Sequence, residues 1–421
     1  MSTPDLDARA RRWAATNDPA SLWPNLDLGL LAESALRIEH CVSAILAGRP
    51  ASLGGGTGAD AHALGIAALI SGTGPLLGYW VEQGLLDVAE PVATVLARHL
   101  EQGRGRYARI RDEIAPVLDG LVAADVQPAV LKGFHTAHVY FPEPGVRPLG
   151  DVDLYVEPHF VARAESAIGN AGFHSRTNSA KFKSDWYPEA DTQPVQSLEY
   201  WHQLSPWKIE LHTALDFGTL IRHGVQLETG MPLNEIWCGL GIPLRVAPQP
   251  LLLVGVATHA SGELHASRLL RLIELTWMIR RDESSGVLDW SAVEELLERT
   301  GATRFAYPAF TLVEQLAPGT IKPSILAHLA RRSTRIARAV VRELTPATPI
   351  LNERTSIAER LMWEPGILGL IRRVLEMFLP APGVSLQDVI TIYRSRAHKL
   401  FGGRVSWRFD SRGHRARAAQ E

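Results

Sequence analysis

The chain of 421 residues has only two cysteines, Cys41 and Cys238. Two thiols so far apart make no disulfide framework, and neither has neighbours at the spacing of a zinc site. A reducing cytoplasm is therefore the expected setting. No uncharged apolar run reaches the roughly 18 residues of a membrane-spanning helix. Met1 to Trp13 carries Asp5, Asp7 and several arginines where a secretory signal needs an apolar stretch. The formal net charge is -2, which argues against a chain built around nucleic acid or another polyanion. No internal repeat at a solenoid period is present.

What is there is globular. Hydrophobic residues make up 46% of the chain, enough for two or three domains around large cores. The expected organisation has five parts: a polar lead-in over 1–25, a helical N-terminal domain over 26–124, a mixed α/β core over 125–248, a helical C-terminal domain over 249–402 and a basic tail over 403–421. The fold class is α+β. Apolar residues at helical spacing predict helices over 27–48, 61–69, 76–83, 92–101 and 104–124. The glycine-rich run Leu53 to Gly58 reads as a flexible loop. It lacks the preceding strand and the lysine of a phosphate cradle. Arg331, Arg332, Arg335, Arg338 and Arg342 recur every three to four residues and read as a solvated helix face.

The informative stretch begins at Val126. Val126 to Leu131 is a short apolar run, the pattern of a buried strand. Lys132 and Gly133 follow, then a helical run from Phe134 to Tyr140. A glycine between strand and helix lets backbone N–H groups approach a phosphate. The Lys132 ammonium could add a contact, and an ordinary strand-end turn is the plain alternative.

Asp151 to Val156 then alternates acid and apolar residues. Residues at i and i+2 share a strand face, so Asp151 and Asp153 point the same way, with Cα atoms roughly 6.5–7 Å apart. Two carboxylates that close repel unless a cation lies between them. Divalent ions clamping the attacking and leaving oxygens are the usual use of such a pair, and carboxylate oxygen suits Mg²⁺ or Mn²⁺. The best third acid is Glu210. Trp207 to His212 also alternates, which places Lys208, Glu210 and His212 on one face. The expected hairpin partner is Leu198 to Leu204, turning at Ser205 and Pro206. Glu210 is a candidate ligand or general base. His212, and His202 on the expected neighbouring strand, are candidates for outer support. Arg147 either pairs with an acid or touches a phosphate. Residues 175–196 read as a long polar loop bordering the substrate. Two further segments, Phe160 to Ala171 and Pro250 to Arg281, read as helical.

Leu131-Lys132-Gly133, Arg147-Pro148-Leu149-Gly150-Asp151-Val152-Asp153 and Glu210-Leu211-His212 together resemble the uncharacterised nucleotidyltransferase family of the polymerase-beta-like superfamily. The resemblance implies a minimal nucleotidyltransferase core, a mixed sheet with flanking helices. It implies Asp151, Asp153 and Glu210 as metal ligands and Gly133 in the nucleotide-phosphate loop. It also suggests that His259 and Arg268 face the nucleotide or substrate, although a lone histidine on an apolar helix is as readily a core residue. Lys132-Gly133-Phe134 replaces the Gly-Ser or Gly-Gly usual in the superfamily. The expected activity is metal-dependent transfer of a nucleoside monophosphate from a nucleoside triphosphate to a hydroxyl or phosphate on a small molecule, sugar, peptide or protein. Two alternatives stay open: transfer of the gamma-phosphate at the same site, and a non-catalytic protein that binds a partner on this scaffold.

Overall fold

The computed structural model describes residues 5–6, 8–9, 11–12, 19–54, 56–180, 183–189, 195–214, 233, 235–262, 264, 269–347, 357–364 and 366–378. Arg268 and the basic tail lie outside the described residues.

After a single helical turn at Pro19–Leu22, helix α1 spans Leu28–Leu46. The Asp27 side chain caps it, accepting from the N–H groups of Gly29 and Leu30. Next come strand β1 (Ala51–Gly54), α2 (Gly58–Ser71), α3 (Gly74–Glu82) and strand β2 (Leu86–Val88). The glycine-rich run is thus not a plain loop. β1 pairs in parallel with β2, and Thr57 closes a capping box with Asp60 at the start of α2.

Helix α4, Glu90–Ala123, is one rod of 34 residues, where the periodicity predicted two helices. Gly103 and Gly105 do not break it because both are contact positions. A Cβ on Gly103 would lie 2.6 Å from the Gly145 carbonyl, and one on Gly105 would lie 2.3 Å from Gln203 Oε1. Packing overrides the low helix propensity of glycine.

The sheet follows. Its strands are β3 (Ala129–Val130), β4 (Asp151–Tyr155), β5 (Phe173–Ala180), β6 (Lys183–Pro188), β7 (Lys208–His212), β8 (Glu235–Trp237) and β9 (Leu244–Val246). Their order is β5-β6-β7-β4-β3-β9-β8. β4 runs parallel to β7 and antiparallel to β3, and β6 runs antiparallel to β7. Two expectations change here. The hairpin partner of β7 is β6; Leu198 to Leu204 forms bends and turns instead. The stretch read as a polar loop holds β5 and β6, an antiparallel pair. Between the strands lie α5 (Lys132–Val139) and α6 (Val161–Asn170).

The C-terminal part is helical: α7 (Leu251–Gly262), α8 (Leu269–Ser284), α9 (Trp290–Arg299), α10 (Thr303–Leu316), α11 (Pro323–Arg332), α12 (Arg335–Glu343), α13 (Ile357–Leu361) and α14 (Ile367–Phe378). The arrangement is a mixed sheet with flanking helices, the expected α+β class. One face of the sheet buries Val152, Leu154, Ile209 and Leu211 against Ile110, Ile114, Val117, Leu118 and Leu121 of α4 and Ala164 and Ile168 of α6. A second core joins α1 to α3 with α7, α8 and α10. Among the described residues no single helix is long and apolar enough to cross a membrane.

Candidate active site

The polar face of the sheet gathers the acids. β4 and β7 are in register, with Asp153 beside Glu210, Asp151 beside Lys208 and Tyr155 beside His212. Alternation explains this. The apolar residues of both strands fill the core on one face, which leaves Asp151, Asp153, Glu210 and His212 on the other. One ligand atom from each of Asp153, Glu210 and His212 lies within 4.8 Å of the others. Asp153 is 2% exposed and Glu210 and His212 are each 7% exposed, so these charges are held by partners rather than by water.

The partners are specific. His212 Nε2 is 3.0 Å from Asp153 Oδ1 and 3.6 Å from Glu210 Oε2. Lys132 Nζ, at the start of α5, is 3.4 Å from Asp153 Oδ1. Burial works against ionisation of Asp153, but Lys132 and His212 outweigh it and hold that carboxyl well below its usual range. Asp151 goes the other way: burial and the charge of Asp153 raise it. For Glu210 burial is opposed by hydrogen bonds from His212, Lys183 and Lys208, which hold it at about 2. Burial alone would lower His212, yet Asp153 and Glu210 raise it. Two carboxylates and an imidazole at this separation form a donor set that fits a divalent ion such as Mg²⁺ or Mn²⁺, the imidazole being the better match to Mn²⁺.

The turn before α5 is held from the opposite wall. Helix α5 is kinked at Gly133 (φ 2°, ψ -68°), and a Cβ there would meet the Arg147 guanidinium at 3.2 Å. Arg147 is 4% exposed and pairs with Glu274 of α8, Nε to Oε1 at 3.0 Å and Nη2 to Oε2 at 3.2 Å. Of the two readings of Arg147, the structure shows the pairing with an acid. Glu274 is fully buried and also takes a hydrogen bond from Thr136 Oγ1 and an ion pair from Arg271 at 3.0 Å. Burial raises its carboxyl, but Arg147 and Arg271 bring it down to about 2. His259 of α7 is half-buried and lies in the field of the same group. The Lys132 charge, then burial, then Arg271 push it well below the usual histidine range.

His202 stands apart from the cluster. It lies in the turn before β7, where its Nδ1 accepts from the Leu204 N–H. That turn is fixed by Arg106 of α4, whose guanidinium donates to the carbonyls of Leu149, Ser205 and Pro206 at 2.6, 2.5 and 2.8 Å.

The family model described as an uncharacterised nucleotidyltransferase matches residues 59–318, more than half of the chain. The chain belongs to that family. No curated protein and no solved structure matches it. The match covers α2 through α10, so the helices on both sides of the sheet belong to the family unit along with the acidic strands.

The sequence reading put Lys183 and Asp185 in a loop bordering the substrate and Arg271 and Glu274 on a helix beside the sheet, but gave none of the four a part in the charge cluster. The first two had a signal, since Lys183 and Asp185 are spaced like Asp151 and Asp153. Glu274 had none: its partners Thr136 and Arg147 lie 138 and 127 positions away.

Proposed function

We propose that the protein is a metal-dependent nucleotidyltransferase that moves a nucleoside monophosphate from a nucleoside triphosphate to a hydroxyl or phosphate acceptor, releasing pyrophosphate. The observation that carries this reading is the in-register pairing of Asp153 with Glu210, next to His212 and beside the Lys132–Gly133 turn. In this reading Asp151, Asp153 and Glu210 hold Mg²⁺ or Mn²⁺, with His212 as support or as a further ligand. The bound ion would supply charge neutralisation for the triphosphate and the leaving pyrophosphate.

The chain's own residues do the rest. Lys132 and the N–H groups around Gly133 meet triphosphate oxygens. Arg147 and Glu274 hold that turn in place, and His259 borders the nucleotide. An acceptor oxygen attacks the alpha-phosphorus, and the bond to the bridging oxygen of the beta-phosphate breaks. The acceptor proton passes to a carboxylate. Asp153, held lowest by Lys132 and His212, is the poorest acceptor of the three, and Glu210, tied to two ammonium groups and held at about 2, is a poor one. Asp151, raised by burial and by Asp153, is the best.

The deciding experiment incubates the protein with alpha-labelled or gamma-labelled triphosphate and Mn²⁺ in the presence of candidate acceptors. Transfer of alpha-label, lost by ~10³-fold or more in Asp151→Asn and Asp153→Asn, is expected. Transfer of gamma-label instead would make the protein a phosphotransferase. Alpha-label still transferred by both variants would sink the reading.

A further inference from the structure

The face that carries the three acids extends one strand further. β6 pairs with β7 so that Asp185 stands beside Glu210 and Lys183 beside His212. β7 in turn sets Glu210 beside Asp153 and Lys208 beside Asp151. Residues directly across from one another share a face. Asp153, Glu210 and Asp185 therefore form a row across three adjacent strands, at an interstrand spacing of about 4.8 Å.

Three carboxylates side by side at this spacing repel one another unless cations lie between them. Two lysines supply them on the β6 side. Lys208 Nζ is 2.6 Å from Glu210 Oε1 and 2.9 Å from Asp185 Oδ2. Lys183 Nζ is 2.5 Å from Glu210 Oε2 and 3.7 Å from Asp185 Oδ1. The Asp185 side chain is 10% exposed, and its Oδ1 is buried and accepts no hydrogen bond among the described residues. One acceptor position therefore still faces the gap that the ammonium groups fill. On the β4 side of Glu210 the gap has a different lining: Asp153 Oδ1 faces His212 at 3.0 Å and Lys132 at 3.4 Å. The row thus has two cation positions, and the one between Glu210 and Asp185 is already taken by side chains.

We propose that Lys183 and Lys208 stand in for the second divalent ion of this site. The protein then binds one divalent cation, held by Asp151, Asp153 and Glu210 with His212 beside them, and the two ammonium groups meet the anionic phosphate oxygen that a second ion would meet. This rests on the nucleotidyltransferase reading, and it changes the expectation of paired ions to one ion plus a lysine pair.

The test counts bound Mn²⁺ on the full-length protein by calorimetry and electron paramagnetic resonance. The wild type is expected to bind one ion. Lys183→Met/Lys208→Met frees Glu210 and Asp185 and is expected to bind two; adding Asp185→Asn returns the count to one. Lys208→Met/Asp185→Asn removes one charge of each sign and serves where the double lysine variant does not fold. It is expected to keep one ion and to bind triphosphate about tenfold more weakly, the loss of one charge-assisted contact. Two ions in the wild type, one in the double lysine variant, or unchanged triphosphate affinity in Lys208→Met/Asp185→Asn would overturn the proposal. Failure of the wild type to bind any Mn²⁺ would instead overturn the metal reading beneath it.

Discussion

Glu274 shows how one residue can order a site it does not belong to. Its carboxylate joins Arg147, Arg271 and Thr136, and so ties α8 to α5 and to the segment before β4. It is fully buried and Arg147 is 4% exposed. Removing the charge leaves a buried guanidinium without its counter-ion, which costs on the order of 3–5 kcal/mol. Glu274→Gln is therefore expected to lower the free energy of unfolding measured by urea titration by that much. A variant as stable as the wild type would show that the arginines find other partners. The acid pair was legible because its signal is local: two aspartates at i and i+2, each followed by an apolar residue, fix strand, face and charge together. Glu274 was not legible because a glutamate after four apolar or basic helix positions looks solvated until the fold brings Arg147 to it.

At the scale of elements, α4 and β6 were misread for opposite reasons. In α4 the residues at 103 and 105 are glycines, and local propensity divides the run there. The fold needs glycine at those places for close approach to Gly145 and Gln203. Gly103→Ala puts a methyl 2.6 Å from a backbone carbonyl and 3.0 Å from Pro75, neither of which is the free end of a flexible chain. We expect a loss of about 1–3 kcal/mol, the usual cost of overpacking, although alanine is the better helix former. Thermal unfolding of the variant checks the sign, and a rise in Tm would mean that α4 slides without penalty. In β6 the charges of Lys183 and Asp185 masked a strand. Strands seldom carry such residues, and the exception arises because this strand presents its polar face to the other charges of the site. A functional face is thus where strand propensity fails, while the alternation that survives in Lys183-Ser184-Asp185-Trp186 still marks the period.

For the whole molecule, two buried histidines link stability to pH. His99 of α4 is 2% exposed, with its ring against Gly74 of α3 and 6.0 Å from the Tyr200 ring. Burial lowers it to about 4, and its Nε2, next to Gly65 of α2, is buried with no hydrogen-bond partner among the described residues. His135 of α5 is 6% exposed and is lowered to about 4 by burial and then by His138. Both are neutral in the fold and take up a proton on unfolding below about 6.5, the ordinary value. The unfolded chain then binds more protons than the native one, so stability falls as pH drops from about 6.5 to about 4, by up to about 3 kcal/mol for each ring. His212 opposes this trend. Its raised value makes the charged form native-like, so its contribution is present below its unfolded value and is lost as pH rises through the folded one. His259, also pushed well below the ordinary value, adds to the fall, and the lowered rings together leave a net acid destabilisation. Urea unfolding at pH 7, 6 and 5 is expected to give falling midpoints, and His99→Gln/His135→Gln is expected to flatten the fall. A double variant with the wild-type slope would place the acid sensitivity elsewhere. Because His99 joins α2, α3 and α4 while His135 lies next to the Lys132 turn, the two single variants separate acid loosening of the helical N-terminal part from acid loosening of the site.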